Sequence, residues 1–266
     1  MGGRRHLEPV RDGPYNPDER SSTPAFGQRR ASVRTLTVDE LPTVFQPIVD
    51  LRNGHVFAHE ALVRCTVDAF ASPLGLFQQA LFEGDCGRIG RLIRESAFAR
   101  CPALPIFVNL HPQELTERWL VRPDDPICFH DHPVYLEVTE SATLEYYDLC
   151  VSVLKEVCSR TGAFLVVDDL GAGYSNLTRV VDLEPKVVKL DRELVSGIDR
   201  APRKRILVTY LLRMCEELGA KVVAEGIETI DELSCLRDLG IHFGQGYFLA
   251  RPAYPAATVN WPFGKP

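Results

Sequence analysis

The segment FLVVDDLGAGYS (164–175) joins an apolar run to two adjacent aspartates and a glycine-rich turn. Four consecutive apolar residues are typical of a strand that is buried on both faces of a parallel sheet. Two adjacent carboxylates repel each other, and either one is costly to remove from water without a partner. One aspartate could cap the helix that follows. The pair therefore indicates that water or a cation lies at the end of this strand.

Short apolar runs alternate with stretches of helical periodicity from Leu41 onward. The predicted strands are 43–48, 56–62, 106–110, 134–138, 164–167, 187–190, 221–224 and 243–248. The predicted helices are 73–82, 88–100, 147–160, 201–218 and 230–239, with stop signals at Gly162, Gly219 and Gly240. Eight strands with helical crossovers predict an α/β protein built as an eight-stranded β/α barrel. A doubly wound open sheet is the alternative.

Composition excludes several other classes of protein. The chain has 266 residues, 45% hydrophobic and 25% charged, and its net charge of −6 predicts neither a DNA or RNA polymer nor a membrane surface as a partner. It contains no apolar run of the roughly 20 residues that a membrane-spanning helix needs. The eight cysteines are scattered and lack the spacing of a metal site. Free thiols predict a reducing, cytoplasmic location.

The sequence divides into three parts. Residues 1–37 are rich in Arg, Gly, Pro and Ser and lack apolar periodicity, which predicts a flexible, disordered arm. Such an arm could dock or regulate, but an unstructured terminus is the simpler interpretation. We assign residues 38–257 to the barrel domain and residues 258–266 to a C-terminal tail.

Polar side chains follow nearly every predicted strand. In a β/α barrel the carboxyl ends of the strands meet at one face, where the active site lies. Taken singly, each carboxylate could be a helix cap or a solvated turn residue. Together they would repel one another unless divalent cations lay among them, and an all-oxygen set favours Mg²⁺ or Mn²⁺. Adjacent aspartates can supply one ligand that bridges two metals and one that does not. The residues at this rim are Gln46, Glu60, Asn109, Glu137, Asp168, Asp169, Lys189, Glu225 and Gln245.

The motifs at these strand ends resemble, in order, those of the EAL-domain cyclic-di-GMP phosphodiesterases. They are QPI (46–48), EALVR (60–64), VNL (108–110), LEVTE (136–140), DDLGAGYS (168–175), KLD (189–191), AEGIET (224–229) and GQGY (244–247). The resemblance covers residues 40–255 or thereabouts. It implies a modified (β/α)8 TIM-like barrel with one antiparallel strand, and hydrolysis of cyclic di-GMP to linear pGpG.

The resemblance also implies roles for individual residues. One metal would be held by Glu60, Asn109, Glu137 and Asp168, and the second by Asp168, Asp169 and Glu225. Glu60, Lys189 and Glu225 would be catalytic, with Lys189 beside the attacking water. Arg64 would hold a phosphate, and the nucleotide would also contact Gln46, Leu62, Asn109 and Gln245. Glu140 and Glu228 would support the loop at 168–175.

A few positions depart from the family pattern. Leu170 and His111 stand where a Phe and a Ser are common, Asn176 replaces a common Ser, and His59 and Cys65 replace aromatic residues. None of these changes removes an implied metal ligand, so activity is the leading hypothesis. The alternative is a catalytically weak domain that acts as a cyclic-di-GMP receptor or protein-interaction module. The resemblance further implies a homodimer. Relatives usually carry a sensory or cyclase domain on the same chain, so regulation here would come from a separate protein or be absent.

Overall fold

Eight strands close into a barrel in the order in which they occur along the chain. The computed structural model describes residues 31–101, 105–117, 119–139, 147–172 and 177–264. The strands are β1 Thr43–Asp50, β2 Val56–Val63, β3 Ile106–Asn109, β4 Val134–Thr139, β5 Phe164–Leu170, β6 Val187–Leu190, β7 Lys221–Ala224 and β8 Phe243–Gly244. The predicted (β/α)8 TIM-like barrel is confirmed, and the doubly wound alternative is wrong.

Helices surround this barrel in the described part of the chain. The α-helices are α1 Pro73–Glu83, α2 Cys86–Arg100, α3 Tyr147–Thr161, α4 Thr178–Leu183, α5 Arg192–Val195, α6 Pro202–Glu217 and α7 Ile230–Asp238. Short 3-10 helices lie at Val33–Thr35, Val38–Glu40, Asp68–Phe70, Pro112–Thr116, Pro126–Phe129 and Ile198–Arg200. Helices α3, α6 and α7 end just before the predicted stops at Gly162, Gly219 and Gly240, which are all left-handed.

Strand β1 is antiparallel to both of its neighbours, β2 and β8, and all other pairs are parallel. This confirms the single antiparallel strand. The opposite direction of β1 decides at which end of the barrel Gln46 lies. Gln46 lies near the beginning of its strand yet pairs in register with Glu60, close to the carboxyl end of β2. Reversal of β1 therefore brings Gln46 to the same end of the barrel as the carboxylates.

One predicted strand is shorter in the structure, and two short helices were not predicted. Strand β8 contains two residues instead of 243–248, because the chain turns at Gly246, whose backbone packs directly against that of Ile227. Residues 248–250 then form turn hydrogen bonds to Ile227 and Gly246 instead of a strand ladder. Helices α4 and α5 were not predicted, because six and four residues are too few to show helical periodicity.

The ends of the chain correct the expected boundaries. Residues 33–40 form two 3-10 helices, and Val33 and Leu36 are buried in a cluster with α1 and α2. Residues 33–37, which the sequence assigned to the flexible arm, are therefore folded, and residues 1–30 lie outside the described residues. Trp261 and Phe263 pack against the main core, so the C-terminal tail is part of the folded unit. Within the described ranges, every helix is too short or too polar to cross a membrane.

Candidate active site

The interior of the barrel is built in two layers. Side chains alternate along a strand, so residues two apart face the same way. The lower layer is apolar and contains Ile48, Ala58, Phe107, Val166, Val187, Val223 and Phe243. On the parallel strands, a polar residue lies two positions after each of these apolar residues. On the antiparallel β1, the polar residue lies two positions before Ile48. The sequence thus places a polar layer directly on an apolar plug.

Lys189 lies at the centre of the polar layer. Its side chain is 1% exposed, and its ammonium nitrogen is 2.6 Å from Glu137 Oε1 and 2.7 Å from Glu225 Oε1. Asp168 Oδ1 and Glu60 Oε2 lie at 3.3 and 3.5 Å. Burial alone would lower the pKa of Lys189, but the four surrounding carboxylates raise it well above its ordinary value. Lys189 is therefore a fixed positive charge at neutral pH.

The carboxylates exceed what one ammonium can balance. Burial raises the pKa of Glu137 well above its usual range, and nearby Glu60 and Asp168 raise it further. Burial followed by the same kind of repulsion raises the pKa of Glu225 to about 8. Oε2 of Glu137 is buried and has no hydrogen-bond partner among the described residues. An unsatisfied buried carboxylate oxygen is costly, so the site is short of positive charge.

A bulge in β5 brings the two aspartates together. The β5–β6 register skips between Val167 and Leu170, and Asp169 has a left-handed backbone with φ of 58°. Adjacent residues of a regular strand would point to opposite faces, and the bulge removes that restriction. Oxygens of Asp168, Asp169 and Glu225 lie within 4.8 Å of one another. Burial and the Asp168 charge raise the pKa of Asp169 to about 6.

These features fit divalent cations. The donors are carboxylates and one amide, which are ligands that Mg²⁺ and Mn²⁺ prefer. Glu60 connects the cluster to the amides around it, because it accepts hydrogen bonds from Asn109 Nδ2 at 3.3 Å and from Gln245 Nε2 at 2.6 Å. Gln245 also donates to Gln46 Oε1 at 2.9 Å, and Gln46 donates to the Ala250 carbonyl. The amides therefore hold Glu60 in place beside Lys189.

Two cavities open beside the polar layer. One, of about 270 Å³, is lined by Gln46, Leu62, Gln245, Glu228 and other residues of the β7 and β8 ends. The other, of about 590 Å³, lies beyond Glu60 and Leu62 toward α1. Arg64 lies at the rim of this larger cavity. Its side chain is exposed, and its guanidinium donates a hydrogen bond to the backbone carbonyl of the adjacent Val63. The guanidinium is therefore able to turn toward a ligand.

The structure brings together almost all of the site residues that the sequence indicated. Glu228 lies at the rim, where it pairs with Arg192 at 2.8 Å. Glu140, residues 173–176 and therefore Asn176 lie outside the described residues. Sequence reasoning missed Arg192 and Tyr247, which line the smaller cavity. Arg192 directly follows the KLD motif and Tyr247 ends the GQGY motif, so their positions next to recognised motifs could have indicated them.

Comparisons with known proteins identify a family for this chain. The family model "EAL domain" matches residues 29–252. The cyclic di-GMP phosphodiesterase NbdA of Pseudomonas aeruginosa is 31% identical over 247 residues, which cover 86% of this chain and 31% of NbdA. The cyclic di-GMP phosphodiesterase PdeR of Escherichia coli is 29% identical over 241 residues, covering 86% and 36%. The chain thus spans about a third of the length of these curated relatives.

Solved structures show the same architecture. A manganese and cyclic-di-GMP complex of Klebsiella pneumoniae BlrP1 aligns with a TM-score of 0.67 at 31% identity, covering 80% of this chain and 56% of BlrP1. An EAL domain protein of Listeria monocytogenes aligns with a TM-score of 0.72 over 84% of this chain and 91% of its own, and at 22% identity it shows the fold alone. On this evidence the chain belongs to the EAL domain family.

Proposed function

We propose that this protein is a metal-dependent phosphodiesterase that hydrolyses cyclic di-GMP to linear pGpG. The observation that carries the proposal is the excess of carboxylates around Lys189, with one oxygen of Glu137 left unsatisfied in a buried site. A site of this kind is suited to bind cations and the anionic phosphates that accompany them. The manganese and cyclic-di-GMP complex of BlrP1, a relative of similar fold, supports the choice of ligand.

In this proposal two cations divide the oxygen ligands. Glu60, Asn109, Glu137 and Asp168 would hold the first, and Asp168, Asp169 and Glu225 the second. The bulge at Asp169 supports this division, because it brings both aspartates to one site. When bound, two divalent cations would activate a water and stabilise negative charge on the scissile phosphate.

The chain's own residues would bind and orient the substrate. Arg64 offers a planar guanidinium fork to a phosphate, and the smaller cavity with Gln46, Leu62 and Gln245 would take part of the nucleotide. Formation of pGpG adds water to one phosphorus and breaks its bond to a ribose 3′ oxygen, which leaves with a proton. Lys189 lies within 3.5 Å of four of the carboxylates, so its role would be to hold them and the attacking water in position.

One assay tests the proposal. The purified protein is incubated with cyclic di-GMP and Mg²⁺ or Mn²⁺, and the products are separated by chromatography. We expect pGpG to accumulate with either metal and to be absent in excess EDTA. Full turnover in EDTA would contradict the two-metal site. Tight binding of cyclic di-GMP with no product would contradict the phosphodiesterase and favour the receptor alternative.

We further propose that the protein works as a cytoplasmic homodimer under the control of a separate regulatory protein. The resemblance to the EAL-domain phosphodiesterases supports these expectations, which concern the assembly and not the chemistry. Light scattering of the purified chain tests the dimer directly, and a monomeric mass at all concentrations would contradict it.

A further inference from the structure

The larger cavity, of about 590 Å³, has a different character from the metal site beside it. It shares Glu60 and Asn109 with the polar layer, but most of its wall is apolar and comes from α1, β2 and the turn after β3. Its volume lies in the range of small-molecule sites. A cavity with Arg64 on its polar edge and an otherwise apolar wall fits a ligand that has a phosphate at one end and a flat apolar-faced group at the other.

A stacked pair of rings forms part of this wall. The rings of Phe77, from α1, and His111, from the turn after β3, lie parallel within 5°, with centroids 5.4 Å apart. Flat aromatic surfaces of this kind favour contact with planar bases. His111 follows Asn109 by two residues, so any group held at His111 lies next to the candidate metal site.

His111 also offers a hydrogen-bond donor. Its Nδ1 atom accepts a hydrogen bond from the backbone N–H of Gln113 at 3.2 Å. In a neutral imidazole only one ring nitrogen carries a proton, so the proton lies on Nε2. No described residue accepts a hydrogen bond from this nitrogen. The edge of the ring therefore presents a donor that a ligand can use, and the parallel ring of Phe77 beside it offers a flat surface.

A buried ion network fixes the backbone that carries this ring. Glu114 accepts a hydrogen bond from the backbone N–H of His111 at 2.9 Å and another from Arg94 Nη1 at 2.6 Å. Arg94 also donates to both oxygens of Asp125, and all three side chains are at most 1% exposed. Gly90 permits the arrangement, because the Glu114 carboxylate occupies the space where a side chain would begin. The position of His111 is therefore set before any ligand binds.

We propose that His111 is a specificity-determining residue that selects guanine at this cavity. The inference rests on the proposed function, because it takes the substrate to be a cyclic dinucleotide. Nε2–H of His111, which lies in the plane of its ring, donates to O6 of one guanine, while that base lies against the parallel ring of Phe77. Guanine presents two acceptors at this edge, whereas adenine replaces the O6 acceptor with an amino donor. The same contact therefore discriminates against adenine.

Three variants test the proposal. His111→Phe keeps a flat ring and removes the donor, and His111→Gln restores an N–H donor without the ring. His55→Phe is the matched control, because His55 is exposed in the β1–β2 turn at the opposite end of the barrel. Binding of cyclic di-GMP and of cyclic di-AMP is measured for each by calorimetry, with turnover of cyclic di-GMP measured in parallel and folding checked by circular dichroism.

We expect His111→Phe to weaken cyclic di-GMP binding about tenfold and to leave cyclic di-AMP binding nearly unchanged, since one hydrogen bond is lost to guanine alone. His111→Gln should recover most of the preference for guanine, and His55→Phe should match the wild type. An unchanged preference in His111→Phe, an equal loss for both nucleotides, or a wild type that binds neither would overturn the inference. Selective binding without turnover would contradict the proposed function and leave the role of His111 standing.

Discussion

Lys189 and Arg94 are both buried cations surrounded by carboxylates, but the two clusters differ in how far the positive charge balances the negative charge. The Arg94 guanidinium faces two carboxylates, Glu114 and Asp125, and donates to them from Nε, Nη1 and Nη2. Each of those carboxylates also accepts a backbone N–H, from His111 and Ile127 respectively. The Lys189 ammonium instead faces four carboxylates at 2.6 to 3.5 Å.

The difference separates a structural cluster from a binding one. Around Arg94 the geometry is bidentate and every carboxylate oxygen has a donor, so the cluster gains nothing from a further ion. Attraction to two carboxylates raises the pKa of Arg94, against the opposing effect of burial. Around Lys189 the carboxylates repel one another, and one buried oxygen has no donor. Residual repulsion and an unsatisfied oxygen indicate a site that binds cations, whereas burial of charge alone does not.

Removal of one carboxylate from the Lys189 cluster should give the largest effect. We expect Glu60→Ala to lower turnover of cyclic di-GMP about a thousandfold, because the loss of a metal ligand removes several kcal/mol of transition-state stabilisation. The melting temperature without metal should stay the same or rise, since Glu60 contributes to the repulsion around Glu137 and Glu225. Steady-state kinetics and thermal melts measure the two quantities.

The matched control for this variant is Glu184→Ala. Glu184 is an exposed carboxylate that pairs with Lys155 on the surface, and its loss should change neither the turnover of cyclic di-GMP nor the melting temperature. Near wild-type turnover in Glu60→Ala would contradict the proposed metal site, because the Lys189 cluster would then be no more functional than the Arg94 cluster.

The two aspartates should respond differently to substitution by asparagine. If Asp168 bridges both metals, Asp168→Asn should weaken both sites, because a neutral amide is a poor bridge between two cations. Asp169→Asn should mainly weaken the second site, and asparagine tolerates the left-handed backbone at this position. Both variants should be severely impaired at ordinary metal concentrations, and high Mg²⁺ or Mn²⁺ should partly rescue only Asp169→Asn. Calorimetric metal titrations that found two intact sites in Asp168→Asn would rule out the bridge.

The Arg94 cluster should show the opposite behaviour, with a large effect on stability. We expect Arg94→Met to lower the free energy of unfolding by about 3 to 5 kcal/mol, because it leaves two buried carboxylates without their cation. Lys155→Met, which breaks the exposed pair with Glu184, should cost at most about 0.5 kcal/mol. Urea denaturation measures both. A cost for Arg94→Met as small as that of the surface pair would show that the network is not holding the turn at Glu114.

The sequence predicted the fold and most of the site, and the exceptions have physical causes. Apolar runs and helix stops locate β6, β7 and the long helices, because burial and backbone geometry depend on local residues. The bulge at Asp169 is invisible to a two-residue period, which would place adjacent aspartates on opposite faces. Arg94 and Asp125 resemble surface residues in the sequence, since charged residues are usually exposed, and only tertiary packing brings them together.

The smallest expected effect is the pH dependence of stability without metal. The pKa of Glu225 is raised to about 8 in the folded chain, so the folded state holds a proton that the unfolded state has lost. Stability from this group is fully present below its ordinary pKa and is lost as pH rises through about 8. The loss between about pH 7 and about pH 9 should be on the order of 1 kcal/mol. Buried histidines such as His59 titrate below this window, because burial lowers the pKa of that imidazole.

Buried thiols complicate the upper end of the window. Burial raises the pKa of Cys215 to about 11, and a thiol that ionises only on unfolding also destabilises the folded chain at high pH. Comparison with Glu225→Gln cancels that contribution, because the variant keeps every cysteine and lacks only the carboxyl proton. We expect melting temperatures of the variant to fall less steeply with pH than those of the wild type. Mg²⁺ should flatten the wild-type curve in the same way, because a bound cation stabilises the ionised carboxylates that the metal-free fold disfavours. Equal slopes for wild type and Glu225→Gln, with or without Mg²⁺, would show that the charge around Lys189 is as well balanced as that around Arg94.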